Sequence, residues 1–257
     1  MSAAAPRANA LPRPASAADI GRAPVNVLLY GAPGTGKTTF AASCPGPTLF
    51  FDVDGGLRSI TSTKNPEKAK IFTELSIDPA QIFYFPIRSL ADLFNRIEQV
   101  SNEFRADSNR YGTIALDTLT ELQRVLIEDI LRSQNRATPQ LQDWNVVLLQ
   151  MQRIVRAIKA LPCHSVFLAH EQTKDGRIVP ALSGQILTEL PAYMDEVWRY
   201  VVAEQESISA QGQRVVKLTR MIRCNYATGM MTKSRAGCLP DWHPPIGSKL
   251  IPLAQAA

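Results

Sequence analysis

No apolar run in this chain approaches the 18 or so residues of a membrane-spanning helix, which excludes a helical membrane span. Residues 1–24 are rich in Ala and Pro but lack the continuous apolar core of a secretory signal, so a disordered tail is expected there. Its Arg7, Arg13 and Arg22 offer a contact to nucleic acid, or simply keep the tail solvated. Cysteine is sparse. Cys44, Cys163, Cys224 and Cys238 form no C-x-x-C pair, and Cys224, Cys238 and His243 miss zinc-ligand spacing. Reduced thiols in a cytoplasmic protein are expected, with neither a disulfide scaffold nor a zinc site. There is no internal repeat and no sign of a second domain. The net charge of +5 is modest; it permits a polyanionic partner without demanding one.

What remains is 257 residues, 45% hydrophobic, enough for one sizeable core. A single domain is expected over 25–245, with 246–257 as a C-terminal tail. Its focal stretch is Gly31-Ala32-Pro33-Gly34-Thr35-Gly36-Lys37-Thr38, followed by Thr39. This fits G-x-x-x-x-G-K-[ST], a loop whose backbone N–H groups curl around the phosphates of a nucleoside triphosphate. Glycine lets the chain approach closely, Lys37 supplies a point charge, and the Thr38 hydroxyl suits Mg²⁺. A helix starting there would aim its positive end at the phosphates. The apolar run Val25–Tyr30 before it and Thr39-Phe40-Ala41-Ala42 after it give the strand–loop–helix setting the motif needs. ATP with Mg²⁺ is the expected ligand.

Further strands are expected at Thr48–Val53, Gln81–Phe85, Thr113–Asp117 and Ser165–Ala169. Leu90, Leu93, Phe94, Ile97 and Val100 recur at helical spacing, as do Leu119, Leu122, Leu126 and Ile130. So do Trp144, Val147, Leu148, Met151, Ile154, Val155 and Ile158. These stripes are assigned to the core. Strands alternating with helices predict a parallel sheet covered on both faces. Val197–Val202, Arg214–Leu218 and a stretch near Met230–Thr232 read as strands joined by short turns, hence antiparallel additions at one edge.

In such sheets ligands gather at the carboxyl ends of the strands, which singles out Asp54, Asp117 and His170. Asp117 after four mostly apolar residues suits a carboxylate holding Mg²⁺ opposite Thr38. Hydrolysis also needs a group to orient or deprotonate water. Thr118 follows Asp117 where many P-loop motors carry Glu, so Asp54 is the available carboxylate; alternatively it is a turn residue before Gly55-Gly56. Asp52, two residues earlier on the same face, is expected to be buried. His170 is positioned to sense a γ-phosphate, or it is a satisfied core histidine. Glu171 to Leu182 reads as a mobile basic loop, with Lys174 and Arg177 touching DNA or merely solvated. Lys233 and Arg235, at alternate positions, would face one way if extended. They would act as a finger pair on a neighbour's γ-phosphate, or form a solvated edge.

Together these residues resemble the RecA-type ATPase core, and more closely the short phage and prophage ATPases of the Sak-type single-strand-annealing recombinase group. The resemblance is carried by Gly31–Ala41, Leu49–Gly56, Ile114–Thr118, Phe167–Glu171, Leu190–Trp198 and Thr232–Arg235. It implies a RecA-like P-loop NTPase α/β fold, mainly parallel with antiparallel strands at the C-terminal edge. The activity implied is a DNA-dependent ATPase that binds single-stranded DNA and promotes annealing or recombination. A homo-oligomer, ring or filament, with ATP at subunit interfaces is implied too, as is a single-strand-binding protein as a possible partner. His170 would take the sensor place filled in RecA by Gln, and Lys233 and Arg235 would act across a subunit interface. Asp54 stands where that group usually has Glu, a methylene shorter. Two other readings stay open: a nucleotide-switched scaffold with little turnover, and a small-molecule kinase, against which no arginine-rich lid is visible.

Overall fold

The computed structural model describes residues 23–61, 66–208 and 214–256; Arg7, Arg13, Arg22 and nearly all of the expected N-terminal tail lie outside them. Strand β1 (Asn26–Gly31) is buried from Val27 onward. Leu28 and Tyr30 enter one core while Val27 and Leu29 enter the other, on the opposite face of the sheet. A strand covered on both faces has no use for a polar alternation, which is why this run is apolar throughout.

Strand β1 lies between β5 (His164–Lys174) and β7 (Glu196–Ile208), parallel to both. Beyond β5 follow β4 (Thr113–Asp117), β2 (Thr48–Asp52) and β3 (Ile82–Pro86), all parallel. On the other side, β8 (Arg214–Arg223) pairs antiparallel with β7, and β10 (Trp242–His243) with β8. Short β6 (Arg177–Pro180) folds back on β5, and β9 (Lys233–Ser234) on β7. The fold is thus α/β with a mainly parallel sheet and antiparallel strands at its edge.

One face is covered by α1 (Lys37–Ala42), α2 (Arg58–Thr61), α3 (Pro66–Glu74) and α8 (Gly247–Gln255), which bury Phe40, Ile60, Phe72 and Leu250. The other carries α4 (Leu90–Ala106), α5 (Leu119–Ser133), α6 (Leu141–Lys159) and α7 (Gly184–Tyr193), which bury Leu93, Leu122, Met151 and Leu190. The Ser89 hydroxyl accepts the Asp92 N–H at the start of α4, and the Thr118 hydroxyl accepts that of Glu121 at the start of α5.

Four expectations need correction. Strand β7 is not an antiparallel addition. It runs parallel to β1 over Glu196–Tyr200 because α7, whose pattern Pro191 interrupts, carries the chain back across the sheet. The segment after His170 is not a mobile loop either: β5 continues through it and turns at Asp175-Gly176, both at positive φ as a tight hairpin requires. Around Met230 there is only a bridge to Ile178, and the paired strand comes later, at Lys233–Ser234. Finally, the expected C-terminal tail from 246 onward holds the helix Gly247–Gln255, with Leu250 and Ile251 fully buried. Gly247 seats that helix: a Cβ there would lie 2.5 Å from Cys44 Sγ, and its N–H donates to Ser43 Oγ at 2.8 Å.

Candidate active site

The parallel strands end on one rim in the order β2, β4, β5, β1. The residues that follow them are therefore laid side by side at strand spacing, roughly 4.8 Å apart. Asp54, Asp117, His170 and the Gly31–Thr39 loop meet there around a cleft of about 350 Å³. The structure brings together nine singled-out residues, Pro33, Gly34, Gly36, Lys37, Thr38, Thr39, Asp54, Asp117 and His170, and adds Gly56 and Thr118 to the lining.

The loop's shape has two separate causes. Gly36 sits at φ +111°, a conformation side chains rarely adopt. Gly31 is required by a neighbour instead: a Cβ there would lie 2.7 Å from the Tyr200 carbonyl oxygen on β7. Lys37 is buried, and its Nζ donates to the carbonyls of Gly31 and Ala32 at 3.0 and 2.9 Å. Burial pulls its ammonium below the usual range, against the pull of the Asp117, Glu171 and Asp54 carboxylates. The loop therefore holds a cation ready, satisfied by main-chain oxygens until a better anion arrives.

Thr38 Oγ1 donates to Asp117 Oδ2 at 2.7 Å, joining α1 to the end of β4. Burial raises Asp117 to about 6; the Thr38 hydrogen bond and Lys37 lower it, and Asp52 and Asp54 add to the rise. A hydroxyl and a carboxylate in contact are hard oxygen donors and fit Mg²⁺, which typically takes one or two protein oxygens and fills its shell with water and phosphate. Among the described residues no group of three or more His, Cys, Asp or Glu converges as an all-protein cage. The main chain stiffens this corner, because the Asp117 carbonyl accepts the N–H groups of Val53 and Asp54 at 2.8 and 3.1 Å.

Asp52 is buried and accepts the Gly55 N–H at 2.9 Å, so it shapes the turn that presents Asp54, which is exposed to the cleft. Thr118, where Glu is common in P-loop motors, is buried and spends its hydroxyl on the start of α5. On the other flank, the His170 N–H donates to Thr120 Oγ1 at 3.0 Å, while its Nδ1 is buried with no partner. Burial and then the Lys37 charge pull His170 below its ordinary value, so at neutral pH it is an uncharged ring.

Two neighbours escaped the sequence. Glu171, beside His170, holds Arg199 of β7 at 2.9 Å and feels Lys37. Tyr200 puts its hydroxyl 3.0 Å from where a Gly36 Cβ would stand. Adjacency to His170 was the only signal for Glu171, and nothing in the sequence pointed to Tyr200.

The remaining candidates lie elsewhere. Lys174 and Arg177 are exposed at the tip of the β5–β6 hairpin. Lys233 and Arg235 stand by the start of β7, whose register carries it about 10 Å further before it meets Gly31. Lys233 Nζ donates to the carbonyls of Met194, Ala192 and Pro191 at 2.7, 3.2 and 3.4 Å, and Arg235 pairs with Asp195 at 2.8 Å. Within one chain they cap the end of α7 and do not reach the cleft.

A phosphate loop leaving the central strand of a parallel sheet, with Thr38 and Asp117 in contact beside it, defines a P-loop nucleotide-binding protein. Residues 23–236 match the family model described as an AAA domain, and the chain belongs to that family, one of ATPase-type domains that bind nucleotide. No curated protein matches the chain. Among the described residues no helix is long and apolar enough to cross a membrane.

Proposed function

We propose that this AAA-domain protein hydrolyses ATP in response to single-stranded DNA, and that it serves annealing or recombination as in the phage and prophage group it resembles. The observation that carries the DNA half is continuity. His170 lines the cleft, and the same strand runs from it without a break into the hairpin whose tip exposes Lys174 and Arg177. A change felt at His170 is four residues, about 13 Å, from a basic tip on a rigid element.

Lys37 exchanges its two carbonyl partners for the β- and γ-phosphate oxygens, while the loop N–H groups hold the rest. Thr38 and Asp117 would hold Mg²⁺, which when bound neutralises charge on those phosphates. Asp54 accepts a hydrogen bond from the attacking water and aligns it. His170, neutral and with an unpaired ring nitrogen, responds to the γ-phosphate and transmits its loss to the hairpin. Exposure and short reach leave Asp54 a loose guide for the water, which favours slow turnover. That same weakness is the specific support for a second reading, a nucleotide-switched scaffold.

The test is ATP turnover with and without single-stranded DNA for wild type, Lys37→Ala and Lys174→Ala/Arg177→Ala. Stimulated turnover abolished by Lys37→Ala is expected. The hairpin variant should flatten the salt dependence of DNA binding by about 1.4 in log–log slope, two phosphate contacts being lost. Turnover indifferent to DNA, with no DNA binding at low salt, refutes the DNA half; tight ATP binding without turnover selects the scaffold.

A further inference from the structure

The triphosphate has a direction in this cleft. Thr38, Asp117, Asp54 and His170 all line the one cleft and mark the γ-phosphate end. The nucleoside must then leave past the opposite side, where Gly34, Gly36 and Thr39 also border a second recess of about 380 Å³. The two hollows share these three residues and are otherwise different in chemistry.

Ile71 and Phe72 of helix α3 and Leu75 just after it form one wall of the second recess, with Lys68 and Glu74 on its border, and Tyr200 and Pro245 form the other. Phe72 and Tyr200 are buried, but Ile71 is 43% exposed, a large aliphatic side chain left facing water beside a phosphate loop. Arg220 lies at the recess and is exposed. A small apolar slot with polar groups at its border is what a flat aromatic heterocycle requires. Its size accommodates a two-ring base with its ribose.

We infer that this recess between α3 and Tyr200–Pro245 binds the purine base of the nucleotide, with Ile71 and Leu75 against one side of the ring. This rests on the reading of the Gly31–Thr39 loop as the triphosphate site. It assigns a role to α3, a segment without a catalytic residue, and to Pro245, which lies outside the matched family region.

Binding of MgATP and of inorganic tripolyphosphate with Mg²⁺ to wild type, Ile71→Glu, Ile71→Leu and Lys37→Ala separates the two ideas. Ile71→Glu, an exposed position, should weaken ATP about tenfold or more and leave tripolyphosphate affinity unchanged. Ile71→Leu should stay within about twofold of wild type for both, and Lys37→Ala should weaken both ligands. ATP bound equally by Ile71→Glu and wild type overturns the base pocket alone, as does a parallel loss of tripolyphosphate. Wild type that binds neither ligand overturns the triphosphate reading, and the base pocket with it.

Discussion

Asp117→Asn should make the ligand-free protein more stable at neutral pH while weakening its response to Mg-nucleotide. Asp117 is 2% exposed, and burial is the largest cause of its rise from 3.8 to about 6. That difference corresponds to about 3 kcal/mol. The sign follows from proton binding: between about pH 4 and 6 the native state holds a proton on Asp117 that the unfolded chain has released, so stability falls as pH rises through this window. Above about pH 7 both states are ionised and the full loss of about 3 kcal/mol persists. Asn keeps an oxygen to accept the 2.7 Å bond from Thr38 but carries no charge. Thermal melts without nucleotide or metal should therefore show the variant and wild type together near pH 4, with the variant higher by up to about 6–12 °C at pH 8. With MgATP the gap should shrink or reverse, because wild type gains more from the ligand through its Mg²⁺ site. A gap that does not change between pH 4 and pH 8, or a variant less stable at pH 8, would refute the idea that the carboxylate is held at a cost for its ligand.

Two further outcomes follow from packing. Gly31→Ala should cost about 1–3 kcal/mol in urea unfolding, since its Cβ would meet backbone on β7 rather than a side-chain tip that can swing away; unchanged stability would mean that β7 yields easily. Lys233→Ala should lower stability by about 1 kcal/mol, chiefly by removing the donor to the Met194 carbonyl at the end of α7. If stability holds and turnover falls only in an assembled form, Lys233 acts across a subunit interface instead.

Much of the site was legible because a strand end is a strong local signal. Thr48–Val53, Thr113–Asp117 and Ser165–Ala169 each run apolar to a polar stop, and parallel pairing turned three such stops into neighbours. What was hidden depended on contacts between distant residues. Pro191 inside α7 concealed the crossover that makes β7 parallel, and with it the approach of Tyr200 to Gly31 and Gly36. The Asp175-Gly176 turn was visible, yet its polar flanks suggested a loop where the strands in fact continue to pair. Helices α2 and α3 carry few apolar residues beyond Ile60, Ile71 and Phe72, too few for a convincing period. At Thr118, the missing Glu acquired a positive explanation only when its hydroxyl was seen to start α5.

The contact of Gly247 with Cys44 ties the last helix to the helix that bears Lys37 and Thr38. Two residues earlier, Pro245 borders the recess beyond Thr39. The phosphate-gripping helix is thus braced from behind by chain made some two hundred residues later. A polypeptide emerging in order would have its Lys37 and Thr38 long before it had the backstop that keeps them in place.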